Sequence, residues 1–164
     1  MIRPAETRDL EAIAAIYTHY VEHTVITFDF ESPTEKDWRA RLEAAAARGH
    51  PWFVAVPGDD VAGYAYAAPF RTKPAYARTV ETTVYLDPAQ TGRGLGRALY
   101  EALLGELAGL DFHLVVAGMT LPNAASQALH RAVGFVPVGT FAQVGYKHGA
   151  WHDVEFLQRP LARE

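Results

Sequence analysis

Near the start of the chain, Leu10, Ile13, Ile16, Tyr17, Tyr20 and Val21 recur at three- and four-residue spacing. That period predicts an amphipathic helix, with Thr7 placed to cap it. Ser32-Pro33-Thr34-Glu35 reads as a capping box with proline at the first helical position. The helix it opens turns Trp38, Leu42 and Ala45 inward and stops at Gly49. Three strand-like runs follow, Trp52–Val56, Val61–Ala67 and Thr79–Leu86. Pro57-Gly58-Asp59-Asp60 is a turn that joins the first two as a hairpin. Pro69 to Ala75 reads as a loop. From Gly94 to Leu107 the apolar spacing is helical again, with Leu95, Leu99, Leu103 and Leu107 four apart. Leu114–Ala117 is a short apolar strand, and Asn123 caps a helix through Val133 that Gly134 closes. Phe135 to Leu161 alternates in places and turns near Lys147-His148-Gly149, as a terminal strand pair would. Helices and strands interleave, which indicates a mixed α/β layer fold.

Composition narrows the function classes. A chain of 164 residues with 49% hydrophobic and 21% charged positions is ordinary globular material, expected to form one domain over residues 1–164. It has no cysteine. That excludes a disulfide scaffold, cysteine-ligated zinc, an iron–sulfur cluster and a thiol nucleophile, and fits a cytoplasmic protein. Lys plus Arg is 15 against 19 Asp plus Glu, a formal charge of −4, and no basic block is present. Nucleic acid is therefore not expected as a partner. No apolar run reaches the length of a membrane span, and Met1–Leu10 lacks the apolar stretch of a secretory signal. The histidines at 19, 23, 50 and 113 have no spacing that points to a metal, and none is expected.

The segment Leu86-Asp87-Pro88-Ala89-Gln90-Thr91-Gly92-Arg93-Gly94-Leu95-Gly96-Arg97-Ala98-Leu99 carries chemistry. A strand ends, glycines follow, and a helix begins. Glycines let backbone N–H groups approach a ligand closely, and a helix N-terminus adds unpaired donors and partial positive charge. Together they suit a phosphate or pyrophosphate, with Arg93 and Arg97 able to add charge-assisted contacts. The dinucleotide fingerprint fails, since its third glycine would fall on Arg97 or Leu99, and no Gly-Lys-Ser/Thr of a P-loop is present. A glycine-rich loop without a ligand fits the same residues.

Arg93-Gly94-Leu95-Gly96 resembles the pyrophosphate loop of the GCN5-related N-acetyltransferase (GNAT) superfamily, Q/R-x-x-G-x-G/A. Thr91 stands where that pattern has its leading Gln or Arg. Ile2-Arg3-Pro4-Ala5 with Asp9-Leu10 is similar to the superfamily's first strand and helix. Leu121-Pro122-Asn123 through Ser126, His130 and Gly134-Phe135 is similar to its later half. Tyr146-Lys147-His148-Gly149-Ala150-Trp151-His152-Asp153-Val154 resembles the phosphinothricin and methionine sulfoximine N-acetyltransferase branch. So do Phe28 before a Ser-Pro helix start, the Tyr76-to-Glu81 segment and Thr83-Val84-Tyr85-Leu86. The resemblance implies a central twisted mixed sheet flanked by helices and acetyl-CoA as co-substrate. It places the pyrophosphate on Gly92, Arg93, Gly94, Leu95, Gly96 and Arg97, and the pantetheine arm on the backbone of Val84, Tyr85 and Leu86. Asn123 would be both helix cap and cofactor contact, with Ser126 beside it.

The same resemblance makes Glu81 a catalytic carboxylate and His130 a second acid–base group, with the assignment of protons between them open. By alternation Thr79, Glu81, Thr83 and Tyr85 share one strand face, so Glu81 reads equally as a solvent-facing residue. Phe28, Arg71, Lys73, Tyr76 and Arg78 are the acceptor-side candidates. Cations suit an anionic head and aromatics a pocket wall, although the charges also fit an exposed loop cluster and the aromatics a dimer contact. A homodimer is implied. The expected activity is direct acetyl transfer to a small amino-acid-like amine. A polyamine, an aminoglycoside or a protein N-terminus is an alternative acceptor, and a non-catalytic acyl-CoA-binding module is the alternative of another class.

Overall fold

The computed structural model describes residues 1–161; the expected unit runs on to residue 164, and residues 162–164 lie outside the described residues. In chain order the elements are β1 (Ile2–Pro4), α1 (Leu10–His23), α2 (Glu35–Ala47), β2 (Trp52–Ala55), β3 (Gly63–Pro69) and β4 (Thr79–Leu86). Then come α3 (Leu95–Gly109), β5 (Leu114–Thr120), α4 (Ala124–Ala132), β6 (Val136–Lys147) and β7 (Ala150–Pro160). One sheet holds the strands in the order β1-β2-β3-β4-β5-β7-β6. Among the described residues only the β4–β5 ladder is parallel. The expected hairpins are present, β2 antiparallel to β3 and β6 antiparallel to β7. This is the mixed α/β architecture with a central sheet between helices. Among the described residues no helix is long and apolar enough to cross a membrane.

Each face of the sheet buries a separate core. On one, Leu99, Tyr100, Leu103, Leu104 and Leu107 of α3 pack on Ala65, Val80, Val115 and Leu157. On the other, Ile13, Ile16, Tyr17 and Trp38 of α1 and α2 pack on Trp52, Val54 and Tyr64. The predicted stripes are therefore the buried ones. Local starts differ from expectation. Thr7 opens a 3-10 turn, Thr7–Asp9, whose capping residue is Glu6, and α1 begins only at Leu10. Thr34, not Ser32, caps α2, because Asp37 three residues on completes its box, so Pro33 precedes the cap. β5 runs to Thr120, beyond the expected Ala117, since β7 pairs with it along its whole length.

The N-terminal strand is tied to the start of α1 by a partly buried ion pair. Arg3 donates to both carboxylate oxygens of Asp9 at 2.8 and 2.7 Å, and the Glu6 N–H donates to Asp9 at 2.8 Å. Burial would raise the Asp9 pKa, but the Arg3 guanidinium and the Glu6 N–H outweigh it and hold the carboxyl below its usual value. A group depressed in the folded state adds stability above its unfolded pKa, and that stability is lost as pH falls through the folded value. Arg3→Met leaves Asp9 buried with less compensation and is expected to cost about 1–3 kcal/mol. Chemical denaturation at pH 7 checks the loss. Repetition at progressively lower pH should shrink the difference as Asp9 protonates.

Candidate active site

The β4–β5 ladder pairs only Thr79 with Leu114, Val80 with Val115 and Glu81 with Val116. Beyond Glu81 the strands part. β4 continues to Leu86 on the β3 side, while β5 continues to Thr120 on the β7 side. The wedge between them holds two adjoining cavities that share Ile26, Val84, Tyr85, Asn123 and Ser126.

The first cavity, ≈ 460 Å³, is where the glycine-rich turn lies. Thr91, Gly92, Gly94, Leu95, Gly96 and Arg97 line one end, with Val84, Tyr85 and Leu86 along the wall. Gly94 caps α3 at φ +77° and Gly92 sits at φ +75°, a left-handed backbone that strains a residue with a Cβ. No side chain caps α3, so its first N–H groups are open toward the cavity. A Cβ on Gly96 would come within 3.1 Å of Leu129 on α4 and 3.6 Å of Leu86 on β4. That glycine thus lets three elements close around the turn. Anionic recognition at one end and an apolar wall at the other fit a long ligand with a phosphate head and a slender arm. Arg97 also lends its Nε to Glu101 at 2.7 Å. Arg93 is elsewhere: its guanidinium donates to Gln90 and lines a hollow with Asp59, Asp60 and Asp87. The Thr91 hydroxyl donates to the Pro88 carbonyl at 3.1 Å. Tyr20, unforeseen from sequence, donates to the Leu86 carbonyl at 2.7 Å from the same wall.

The second cavity, ≈ 240 Å³, brings together Glu81, His130, Phe28, Tyr85, Asn123 and Ser126. Burial raises the Glu81 pKa above the usual carboxylate value, and Arg71 opposes that rise. Asn123 accepts from the Ser126 N–H at 3.1 Å and so starts α4. One turn on, His130, 3% exposed, donates Nδ1–H to the Ser126 carbonyl at 2.7 Å. A carbonyl only accepts, so Nε2 carries no proton and accepts from the Tyr100 hydroxyl at 2.8 Å. Thr82 lies 3.4 Å from the same hydroxyl. Burial pushes the His130 pKa down, against the Ser126 bond and the Glu155 carboxylate, and burial holds the Tyr100 phenol well above its usual value. Both are neutral at pH 7. Tyr100 was missed in the sequence because it lies within the leucine-rich face of α3. The available signal is that a buried phenol needs a hydrogen-bond partner.

Four acceptor-side candidates, Arg71, Lys73, Tyr76 and Arg78, lie outside the lining of this cavity. Arg78 is paired with Asp111 at 3.1 Å. Tyr76 packs edge-on against Phe70, ring centroids 5.8 Å apart, and Lys73 precedes the 3-10 turn Pro74–Tyr76 on the surface. Arg71 stacks over Phe70 at 4.8 Å while its charge reaches Glu81. Among the described residues no group of three His, Asp or Glu could hold a metal.

Residues 2–155 match the family model described as acetyltransferase (GNAT) domain. The chain is 43% identical to a phosphinothricin N-acetyltransferase of Streptomyces coelicolor over 98% of its length and 95% of that protein. It is 38% identical to the L-methionine sulfoximine/L-methionine sulfone acetyltransferase of Salmonella typhimurium, covering 98% and 94%. Its fold is similar to a crystal structure of a phosphinothricin acetyltransferase from Sinorhizobium meliloti in complex with acetyl-CoA. The TM-score is 0.95 at 38% identity, covering 99% of this chain and 88% of that one.

Tyr100→Phe removes the hydroxyl that serves His130 Nε2 and leaves that nitrogen buried without it. The expected loss is about 1–3 kcal/mol in denaturant unfolding. The His130 ring should keep its proton on Nδ1, visible in ¹⁵N spectra, because the Ser126 carbonyl is untouched.

Proposed function

The chain belongs to the GNAT acetyltransferase family, and we propose that it transfers the acetyl group of acetyl-CoA directly to the α-amine of a small amino-acid-like acceptor. Phosphinothricin, methionine sulfoximine and methionine sulfone are the acceptor types named for its relatives. The observation that carries the reading is Glu81, a half-buried carboxylate at the point where β4 and β5 part, in a cavity that adjoins the glycine-rich one.

Acetyl-CoA supplies an activated thioester. Gly92, Gly94, Leu95, Gly96 and Arg97 hold its pyrophosphate, and the backbone of Val84 and Tyr85 its arm, with Asn123 and Ser126 at the junction of the two cavities. Arg93 takes no direct part in this reading, because Gln90 holds it on the other side of the turn. The acceptor's α-amine is a cation at neutral pH, with an ordinary pKa near 8, and must lose a proton before it attacks. Glu81 takes that proton, directly or through water. Its raised pKa makes it the better base, and the Arg71 charge limits that rise. The sulfur leaves with a proton from the Tyr100 hydroxyl, whose hydrogen rotates away from His130 Nε2, and the buried phenolate regains a proton from the attacking nitrogen, which sheds its second proton as the amide forms. His130, fixed by Ser126, positions that phenol and receives its hydrogen bond back. No cysteine is present to form an acyl-enzyme, which favours direct transfer.

Phe28 forms the acceptor wall and Arg71 faces the acceptor's anionic group. That cation beside Glu81 disfavours polyamines and aminoglycosides. A second copy of the chain covers β6 in this reading. β6 is an edge strand, and Val136, Val138, Phe141, Val144, Tyr146 and Trp151 are more than half exposed on the β6–β7 hairpin. A cytoplasmic location accords with the need for acetyl-CoA and the lack of cysteine.

An amino-acid acceptor screen with thiol detection tests the reading. Release with none of the three named acceptors, nor with any natural amino acid, rejects it. Glu81→Gln should lower kcat about 10²–10⁴-fold while acetyl-CoA still binds. The acid limb of the rate profile should lie above the ordinary carboxylate range, and Arg71→Met should move it to higher pH, because that charge lowers the Glu81 pKa. Light scattering should give the mass of two chains, and Phe141→Asp should give that of one.

A further inference from the structure

Between α1 and α2, residues 24–34 form neither helix nor strand, yet Ile26, Thr27 and Phe28 from this segment line the Glu81 cavity. A wall without a ladder needs other bonds to hold it. From α1, the Tyr17 hydroxyl bonds Thr27 Oγ1 at 2.7 Å and Asp29 at 2.6 Å, and the Thr24 hydroxyl donates to the Tyr20 carbonyl at 2.7 Å. From the opposite end of the chain, Lys147 Nζ donates to the Val21 and Thr27 carbonyls, each at 2.8 Å. His148 Nε2 reaches the Thr24 carbonyl at 3.2 Å.

Lys147 is 2% exposed. Lysine is almost never so buried unless its charge is used. The Val21 carbonyl is among the last four of α1, where the helix leaves acceptors unpaired and favours a cation. The Thr27 carbonyl is the peptide that leads into Phe28. One ammonium therefore ties the helix end to the residue before the wall's aromatic. Burial of a cation is costly, and an apolar side chain of similar length fills such a site without that cost, so stability alone does not account for a lysine. The strand that carries it is shaped to the same end. β6 slips register between Phe141 and Gly145, and the Phe28 ring lies over Gly145, where a Cβ would fall 2.1 Å from the ring.

We propose that Lys147 is a positioning residue for the acceptor: by holding the Val21 and Thr27 carbonyls it fixes Phe28 as the wall against which the acceptor side chain packs. This rests on the reading of the cavity as the acceptor site. Lys147 touches neither acceptor nor acetyl-CoA.

Lys147→Met keeps the length and removes the donors. Steady-state thiol release with the best acceptor of the screen should show acceptor KM raised at least 10-fold, acetyl-CoA KM within about twofold of wild type, and kcat reduced less than about threefold. In a double-mutant cycle with Phe28→Ala, Lys147→Met should add nothing once the ring is gone. If Lys147→Met does not accumulate as folded protein, Gly145→Ala takes its place in the cycle, because it displaces the same ring from beneath. Unchanged acceptor KM, an equal rise in both KM values, or additivity with Phe28→Ala overturns the proposal. Transfer by wild type to no amino acid overturns the acceptor reading and this proposal with it; wild-type transfer with an unmoved acceptor KM in the variant overturns this proposal alone.

Discussion

The parting of β4 from β5 is the constraint from which the site follows. Two parallel strands that stop pairing after Val116 leave backbone groups facing each other across a gap, and such groups must find other partners. Part of the need is met internally, as where Tyr20 donates to the Leu86 carbonyl. The remainder is available to a ligand that lies along the gap like a strand. The elements around the wedge serve this opening. The glycine turn puts unpaired N–H groups at one end, and α4 crosses beside it with Asn123 and Ser126 at its start. Glu81 is the last paired residue, so its carboxylate stands at the fork, half withdrawn from water.

Burial does most of the electrostatic tuning. Desolvation raises Glu81, lowers His130 and raises Tyr100, each toward its uncharged form. Nearby charges oppose burial at two of the three, the Arg71 cation at Glu81 and the Glu155 carboxylate at His130. The side chains of Thr82, Tyr100 and His130 link β4, α3 and α4, and the chain of contacts ends on the Ser126 backbone carbonyl. Satisfied buried networks of this kind specify geometry more than they add stability.

What was legible in the sequence was what depends on neighbours in the chain. The helical stripes, the Asn123 cap, the left-handed glycines and the strand face of Glu81 follow from spacing and local chemistry, and the structure has them in place. Helix starts moved by a few residues because the partner three positions on, Asp9 or Asp37, decides which residue caps. The basic segment from Arg71 to Arg78 read as one patch, but Arg78 is drawn off by Asp111, 33 positions away, and only Arg71 bears on Glu81. Arg93 lies in the same glycine-rich motif but turns to the other side, where Gln90 holds it. Tyr100 and Lys147 were invisible for a related reason. Each finds its hydrogen-bond partners at least 18 positions away, and no local period announces such a pairing.

The distance in sequence between Lys147 and the carbonyls it holds, 126 and 120 positions, has a consequence for how the molecule is made. A chain emerging from the ribosome presents α1 and the segment after it long before the last hairpin exists. Until β6 and β7 have been synthesised and paired, that segment lacks its anchor and β5 lacks its second neighbour. Contacts of such span close late and slowly. The Glu81 cavity is accordingly among the last parts of the fold to be completed, and a nascent or truncated chain that ends before Lys147 carries Glu81 and the glycine turn without a finished wall opposite them.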